Sequence, residues 1–152
     1  MVDWLEVALP FTKGNEGCVL TAYPDPVSNG EPWTIGYGAT GPNIREGLVW
    51  TQEQADADLS ARLTVIGNTI LGHSKCALND NQLAALCDFA YNEGLWALLG
   101  KSTLWRVLNQ GDYEEAAAQF LEWDIADGRP VTGLETRRMR ERTLFNTPVV
   151  GA

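Results

Sequence analysis

The sequence predicts an α+β fold, and three observations predict it. Apolar residues recur at helical spacing in two long stretches, Ala55, Leu59, Leu63, Ile66 and Ile70, then Leu83, Leu86, Cys87 and Ala90. Residues 20–45 are instead dense in Gly and Pro, with β-friendly pieces at Leu20 to Tyr23 and Trp33 to Tyr37. No internal repeat, low-complexity stretch or linker interrupts the 152 residues. The chain reads as mostly helix with one β patch near its front. It forms one domain, long enough to bury a core without disulfides or metals.

Taken in order, Trp4, Leu5, Val7 and Ala8 give residues 1–9 an apolar side, suited to a short arm or helix. Pro10 is tolerable in a first helical turn, so a new helix is expected from Pro10 through Glu16, with Gly17 just past its end. Asn29-Gly30, between Pro24 and Pro32, is a strong turn signal and points to a small β-hairpin or three-stranded meander. Thr51 with Gln54 makes a capping box that opens a helix of about five turns. Asn79 with Gln82 opens the next helix and Gly94 stops it. Shorter helices are expected at about 102–109 from Ser102, and at about 112–121 from Asp112 with Glu115 three positions on. Thr132 with Glu135 opens the last helix, which ends before Pro148.

Charge and composition exclude several functions. The net charge is −9, yet residues 129–152 hold 5 Arg against 2 Glu. Residues 1–128 hold 6 Lys/Arg against 18 Asp/Glu, so a nucleic-acid-binding surface is disfavoured. The plain reading of the C-terminal arginines is a solvated helix face. No apolar run approaches the roughly 20 residues of a membrane span. The N-terminus, Met1-Val2-Asp3-Trp4-Leu5-Glu6, lacks the basic region and apolar stretch of a signal peptide, so the chain is expected to start in the cytoplasm. Three cysteines, Cys18, Cys76 and Cys87, make an odd count that favours reduced thiols, with Cys87 a small buried hydrophobe. Cys18 has no evident partner base, and the single histidine, His73, cannot build a zinc site with scattered cysteines. No metal and no cofactor are expected.

The chemistry gathers at the front. Glu16 and Asp25 stand nine positions apart, and Thr34 follows in a glycine-punctuated segment. Splitting a glycosidic bond takes such a pair: an acid to protonate the leaving oxygen and a carboxylate to activate water or meet the sugar carbon. Pairs of this kind work when their environments push the two pKa values apart. On its own, Asp25 between Pro24 and Pro26 reads as a turn-former. Six tryptophans are many for this length. Trp4, Trp50, Trp96, Trp105 and Trp123 read as core, while Trp33 and Tyr37 are candidates for stacking on sugar. Gly36 and Gly38 would let backbone approach a substrate, although turn geometry explains them equally well.

Glu16-Gly17, Ala22-Tyr23, Asp25, then Thr34-Ile35-Gly36-Tyr37-Gly38 and Thr40, together resemble the bacteriophage lysozyme (endolysin) family of peptidoglycan muramidases. Trp50 to Ala55 resembles the start of that family's long linking helix, and Leu78 to Gln82 through Phe89 to Gly94 its central helix. Leu108 to Tyr113, and Gly133-Leu134 with Arg137, Arg138 and Glu141, resemble its C-terminal lobe. The resemblance implies a lysozyme-like α+β fold over residues 1–152. A small β-containing lobe at about 10–50, a linking helix at about 51–72 and a larger helical lobe at about 75–148 would flank a cleft. It implies Glu16 as general acid, Asp25 orienting the attacking water or stabilising the oxocarbenium ion, and Thr34 holding that water. It would place Arg138 so as to reach back to Glu16, and with Trp33, Gly36 and Tyr37 it makes up the expected substrate contacts. The implied reaction is hydrolysis of the β-1,4 bond between N-acetylmuramic acid and N-acetylglucosamine, for host cell lysis. The expected enzyme is a monomer kept in the host cytoplasm until a separate holin releases it to the wall. Two rival readings are a chitosanase-like glycosidase and a non-catalytic wall-binding or virion structural domain. The acidity suits both, while the intact Glu16, Asp25 and Thr34 set argues against the second.

Overall fold

A computed structural model describes residues 3–126 and 128–150. Residues 9–62 form one compact unit; residues 63–150 with the start of the first helix form the other. Helix α1 (Trp4–Asn15) is continuous, with Pro10 inside it, where a new helix start was expected. Pro10 removes one amide donor, and Glu6, whose carbonyl loses that partner, is exposed to water along with Pro10 itself. Asp3 opens the helix, its carboxylate accepting from the Leu5 amide at 3.5 Å. Met1 and Val2 of the expected arm lie outside the described residues.

In the 9–62 unit, β1 (Val19–Tyr23) and β2 (Thr34–Gly36) pair antiparallel, Val19 opposite Gly36 and Tyr23 opposite Thr34. A third line of chain completes a meander: the Ala22 amide donates to Leu48 O at 2.9 Å and the Trp50 amide to Leu20 O at 2.8 Å. Asn29-Gly30 does not make the tight two-residue turn expected. Asn29 is left-handed at φ 56°, but Gly30 is not, and the pair sits inside a loop over residues 24–33. Ala22, Ile35 and Ala39 form the small core of this unit, covered by Trp33, Ile44, Leu48 and Trp50.

Helix α2 (Gln52–His73) runs on from there. Its capping box is formed, with Gln54 N to Thr51 Oγ1 at 3.1 Å and Thr51 N to Gln54 Oε1 at 2.8 Å. Ala55, Leu59, Leu63 and Ile70 are fully buried along it. Gly67 lies against the Trp4 ring so closely that an added Cβ would come within 2.1 Å of the indole. A mid-helix glycine that would otherwise disfavour the helix by about 1 kcal/mol is therefore the seat of Trp4.

In the helical unit, α3 (Asp80–Glu93) carries the expected Asn79/Gln82 capping box and ends at Gly94, φ 104°. Its residues Leu83 to Ala90 are all buried, so the helix is central and packed all round. A wide helical turn (Ala97–Lys101) precedes α4 (Thr103–Leu108), capped by Ser102, and α5 (Tyr113–Gln119), capped by Asp112. A two-stranded ribbon, β3 (Ile125–Ala126) with β4 (Arg129–Pro130), leads to α6 (Thr132–Asn146). Thr132 is the first helical residue and Val131 the cap, so the capping role expected of Thr132 is not realised. Trp96, expected in the core, is 73% exposed.

Helix α6 packs against α3 through aromatic rings and buried charge. Phe89 meets Phe120 edge-on at 5.8 Å and Trp123 at 5.2 Å, and Phe120 meets Phe145 at 5.5 Å. Arg137 grips Asp88 with two hydrogen bonds of 3.0 Å. Arg138, with no exposed surface, lies 4.9 Å from the Phe89 ring centre and donates to Glu141 at 2.8 Å. It also reaches Asn92, and Glu93 at 3.6 Å. Burial first, and the neighbouring Asp88 second, hold the Glu141 carboxyl well above the usual carboxylate range. Removing one partner from such a cluster strands the others, at about 3–5 kcal/mol. Arg138→Met is therefore expected to lower unfolding free energy by about that amount, read from urea denaturation midpoints. A loss below about 1 kcal/mol would mean that the cluster is not integral to the α3/α6 packing.

Candidate active site

The sequence-predicted front residues all fall in the 9–62 unit. Glu16 follows the last residue of α1 and keeps a helical hydrogen bond, its amide to Thr12 O at 2.9 Å. It is half-buried and so held by the helix end instead of by a loop. Gly17 is not left-handed, and a Cβ there would meet nothing, so helix termination does not require glycine at this point.

Asp25 leaves β1 two residues after Tyr23, whose cross-strand partner is Thr34. The hairpin therefore delivers Asp25 and Thr34 to one end of the β1/β2 ribbon. Asp25 closes its own turn: Oδ2 accepts from the Ser28 amide at 2.9 Å and the Val27 amide at 3.2 Å, and its own amide donates to Gly30 O at 3.0 Å. The turn-former reading of Asp25 is realised, and it pins the carboxylate while leaving Oδ1 outside the turn. Thr34 and Trp33 are both half-buried beside it.

Gly36 and Tyr37 occupy the other end, and the geometry gives them a different duty from sugar contact. Gly36 is buried at φ +64°, and a Cβ on it would come within 2.9 Å of the Trp50 ring. Both the backbone and the indole demand glycine there. Tyr37 is only 5% exposed. Its hydroxyl donates to Asp56 Oδ1 at 2.9 Å and accepts from Gln52 Nε2 at 3.0 Å. Gln52 also donates to Asp56 Oδ1 at 2.9 Å, and Lys13 on α1 reaches Asp56 Oδ2 at 3.2 Å. Burial, then the bond to Asp56, push the Tyr37 phenol up to about 12. Gln52 first, then Tyr37, hold the Asp56 carboxyl below the usual range.

Arg138 belongs to the other unit, where its full burial between Glu141, Glu93 and Asn92 gives it a structural role within the helices. Lys13, Gln52 and Asp56 were not singled out by sequence. The signal available for two of them was the four-residue spacing of Gln52 and Asp56 on one helix face.

A family model described as phage lysozyme matches residues 13–141. The chain belongs to the phage lysozyme family. It is 40% identical over 149 residues to an endolysin of Acyrthosiphon pisum secondary endosymbiont phage 1, covering 93% of this chain and 97% of that one. An endolysin of Bacillus phage B103 is 35% identical, but the chain spans only 53% of its length. Among solved structures, P22 lysozyme superposes with a TM-score of 0.81 at 32% identity, over 97% of this chain and all of that one. The muramidase domain of SpmX from Asticaccaulis excentricus gives 0.83 at 34% identity, over 93% and 96%. The fold is therefore lysozyme-like α+β, and the protein is a glycoside hydrolase of the muramidase type, an endolysin of host lysis.

The Tyr37 knot has a pH signature. A phenol whose folded pKa is raised contributes stability that is complete below its unfolded value and is lost as pH climbs through the folded one. The wild type should lose stability between pH 10 and about 12. Tyr37→Phe should show a flatter profile across that window, from denaturation midpoints measured at successive pH values. Parallel profiles for the two proteins would show that the phenol proton is not part of the knot.

Proposed function

We propose that the protein hydrolyses the β-1,4 bond between N-acetylmuramic acid and N-acetylglucosamine in bacterial peptidoglycan. Glu16 donates the proton to the leaving glycosidic oxygen as the bond to the sugar carbon breaks. Asp25 orients a water, takes its proton as oxygen adds to that carbon, and offsets the positive charge that develops there. The Thr34 hydroxyl holds the water. One observation carries the reading: Asp25 is pinned by its own turn at the ribbon end where Thr34 begins β2, in the unit that also holds Glu16 at a helix end. Trp33, half-buried next to Thr34, offers an aromatic wall to the sugar, and Gly38, exposed at φ 92°, leaves the backbone open to it. The enzyme works as a monomer without metal or cofactor, stays in the host cytoplasm and is released to the wall by a separate holin. No helix of the described residues is long and apolar enough to cross a membrane.

Reducing-sugar release from purified peptidoglycan tests the chemistry. Glu16→Gln should lower release by ~10²–10⁴-fold with the fold intact, and activity within about tenfold of wild type would sink the assignment. Asp25→Asn separates chemistry from turn, because an amide oxygen can still accept from Val27 and Ser28 while the charge is gone. Loss of at least ~10²-fold is expected, and near-wild-type activity would leave Asp25 as a turn-former alone. The net charge of −9 should repel an anionic wall, so wild-type release is expected to rise as moderate salt screens that repulsion. The acidity also favours a cationic polymer. Release from chitosan with none from peptidoglycan would move the reading to a chitosanase-like enzyme.

A further inference from the structure

The segment that carries Glu16 is anchored on both sides by the start of one helix. Lys13, a helical turn before Glu16 on α1, reaches Asp56 Oδ2 at 3.2 Å. Cys18, two residues after Glu16, lies 3.8 Å from Gln52 Nε2, within range of a weak N–H···S bond. Gln52 and Asp56 stand four positions apart at the start of α2. The Gln52 amide donates to Asp56 Oδ1 at 2.9 Å, so the two anchors share one frame. That frame also holds the ribbon. The Tyr37 hydroxyl, three positions past Thr34, donates to Asp56 Oδ1 at 2.9 Å and accepts from Gln52 Nε2 at 3.0 Å. Strand β2 carries the hold back to Thr34, whose cross-strand partner Tyr23 precedes Asp25. All of these residues belong to the 9–62 unit.

Cleaving a glycosidic bond sets a demand on distance. The proton donor and the group that holds the water must act together on one sugar carbon. A displacement of about 1 Å in such a group costs up to ~10²-fold in rate. Strand pairing fixes Asp25 against Thr34. Glu16 lies outside the paired residues, between α1 and β1, so its distance from Thr34 depends on how the end of α1 is held. Gly14 and Gly17 on either side of it have open space about them, so close packing does not hold this stretch. We propose that Asp56 is a positioning residue for the hydrolysis, setting the separation of Glu16 from Thr34 through Lys13 on one side and Tyr37 on the other. Gln52 serves the same frame by holding the Asp56 carboxylate and bracing Cys18. Asp56 acts through α1 and β2 without touching substrate. This rests on the reading of Glu16 and Thr34 as the acid and the water-holding group.

Two measurements test it. The first is kinetics on soluble peptidoglycan fragments, at a temperature where denaturation profiles show every variant folded. Lys13→Met removes the α1 arm and Tyr37→Phe the ribbon arm. Asp56→Asn takes away the charge that holds Lys13 while its amide oxygen still accepts from Tyr37 and Gln52. Each should lower kcat by roughly tenfold and leave KM within about twofold. Lys13→Arg should recover most of the loss, because a guanidinium reaches the same carboxylate. The double variant Lys13→Met/Tyr37→Phe should be no slower than the slower single one, since breaking either arm already frees Glu16 from Thr34. Losses that add, or an unchanged kcat in all variants of an active wild type, would overturn the proposal and leave Asp56 a stabilising residue alone. The second measurement does not depend on hydrolysis. Relaxation dispersion of backbone amides in isotope-labelled Asp56→Asn should show millisecond exchange at residues 16–18 that wild type lacks. Quiet amides there, or exchange spread evenly through the 9–62 unit, would overturn the coupling. A wild type that hydrolyses nothing, with the exchange appearing as expected, would refute the hydrolase reading and not the hold of Asp56 on Glu16.

Discussion

The Asp56 carboxylate is the joint on which the site-bearing unit depends. It collects Lys13 from α1, Gln52 from its own helix and the Tyr37 hydroxyl from beyond β2. Two of those elements lead to residues that matter: Glu16 follows the last residue of α1, and β2 begins at Thr34, which pairs with β1 just before Asp25. A hairpin paired over so few residues is marginal alone. Its cores are small, with Ala22, Ile35 and Ala39 the fully inward residues, so apolar burial contributes little rigidity. A network of charge-assisted hydrogen bonds around one carboxylate supplies direction that such a core lacks. Gly36 completes the joint, because its left-handed backbone and missing side chain let the ribbon lie flat on Trp50.

The helical unit uses a different device. Arg137 and Arg138 are neighbours on α6, and both are buried against α3. Two adjacent guanidiniums repel, and desolvation compounds the problem. Asp88 and Glu93 on α3 supply two opposing charges, and Glu141 one helical turn along α6 a third. Burial and the neighbouring Asp88 push the Glu141 carboxyl upward, while the two arginines pull it back down. The Phe89 ring takes the remaining face of Arg138. Charge pairing of this kind fixes the register of α6 on α3 more narrowly than aromatic packing alone, since a slip of one residue would bury an unpaired ion.

What could be read from the sequence divides by distance along the chain. The capping signals at Thr51/Gln54, Asn79/Gln82, Ser102 and Asp112 are formed, because a cap is a contract among residues within four positions. Thr132 failed because the preceding ribbon delivers Val131, not Thr132, at the extended position before α6. Pro10 misled because the Glu6 carbonyl it leaves without a donor lies open to water, so the helix carries through it, and Asn29-Gly30 misled because Asp25 closes a wider turn with Val27, Ser28 and Gly30. Gly67 looks like a flaw in α2 until Trp4, far off in sequence, is seen lying on it. Tyr37 and Arg138 were read as substrate contacts from motif position. Their actual partners, Asp56 and Glu141 with Asn92, depend on which helix faces which, and no spacing rule contains that. Glu16, Asp25 and Thr34 were legible as a chemical set, but only the strand register reveals that Asp25 and Thr34 share one end of the ribbon.

The burial of Arg137 and Arg138 also changes the meaning of the charge pattern. Counted by residue, the C-terminal segment is basic, with 5 Arg against 2 Glu over residues 129–152. Two of those arginines face the core and are neutralised there, so they contribute nothing to a surface that would attract an anionic polymer. Asp88 and Glu141 are buried with them, so the net charge of the surface is unchanged, but the C-terminal segment presents less of a basic patch than its residue count suggests. An enzyme with such a surface gains no long-range capture from a negatively charged wall, and its affinity must come from short-range contacts.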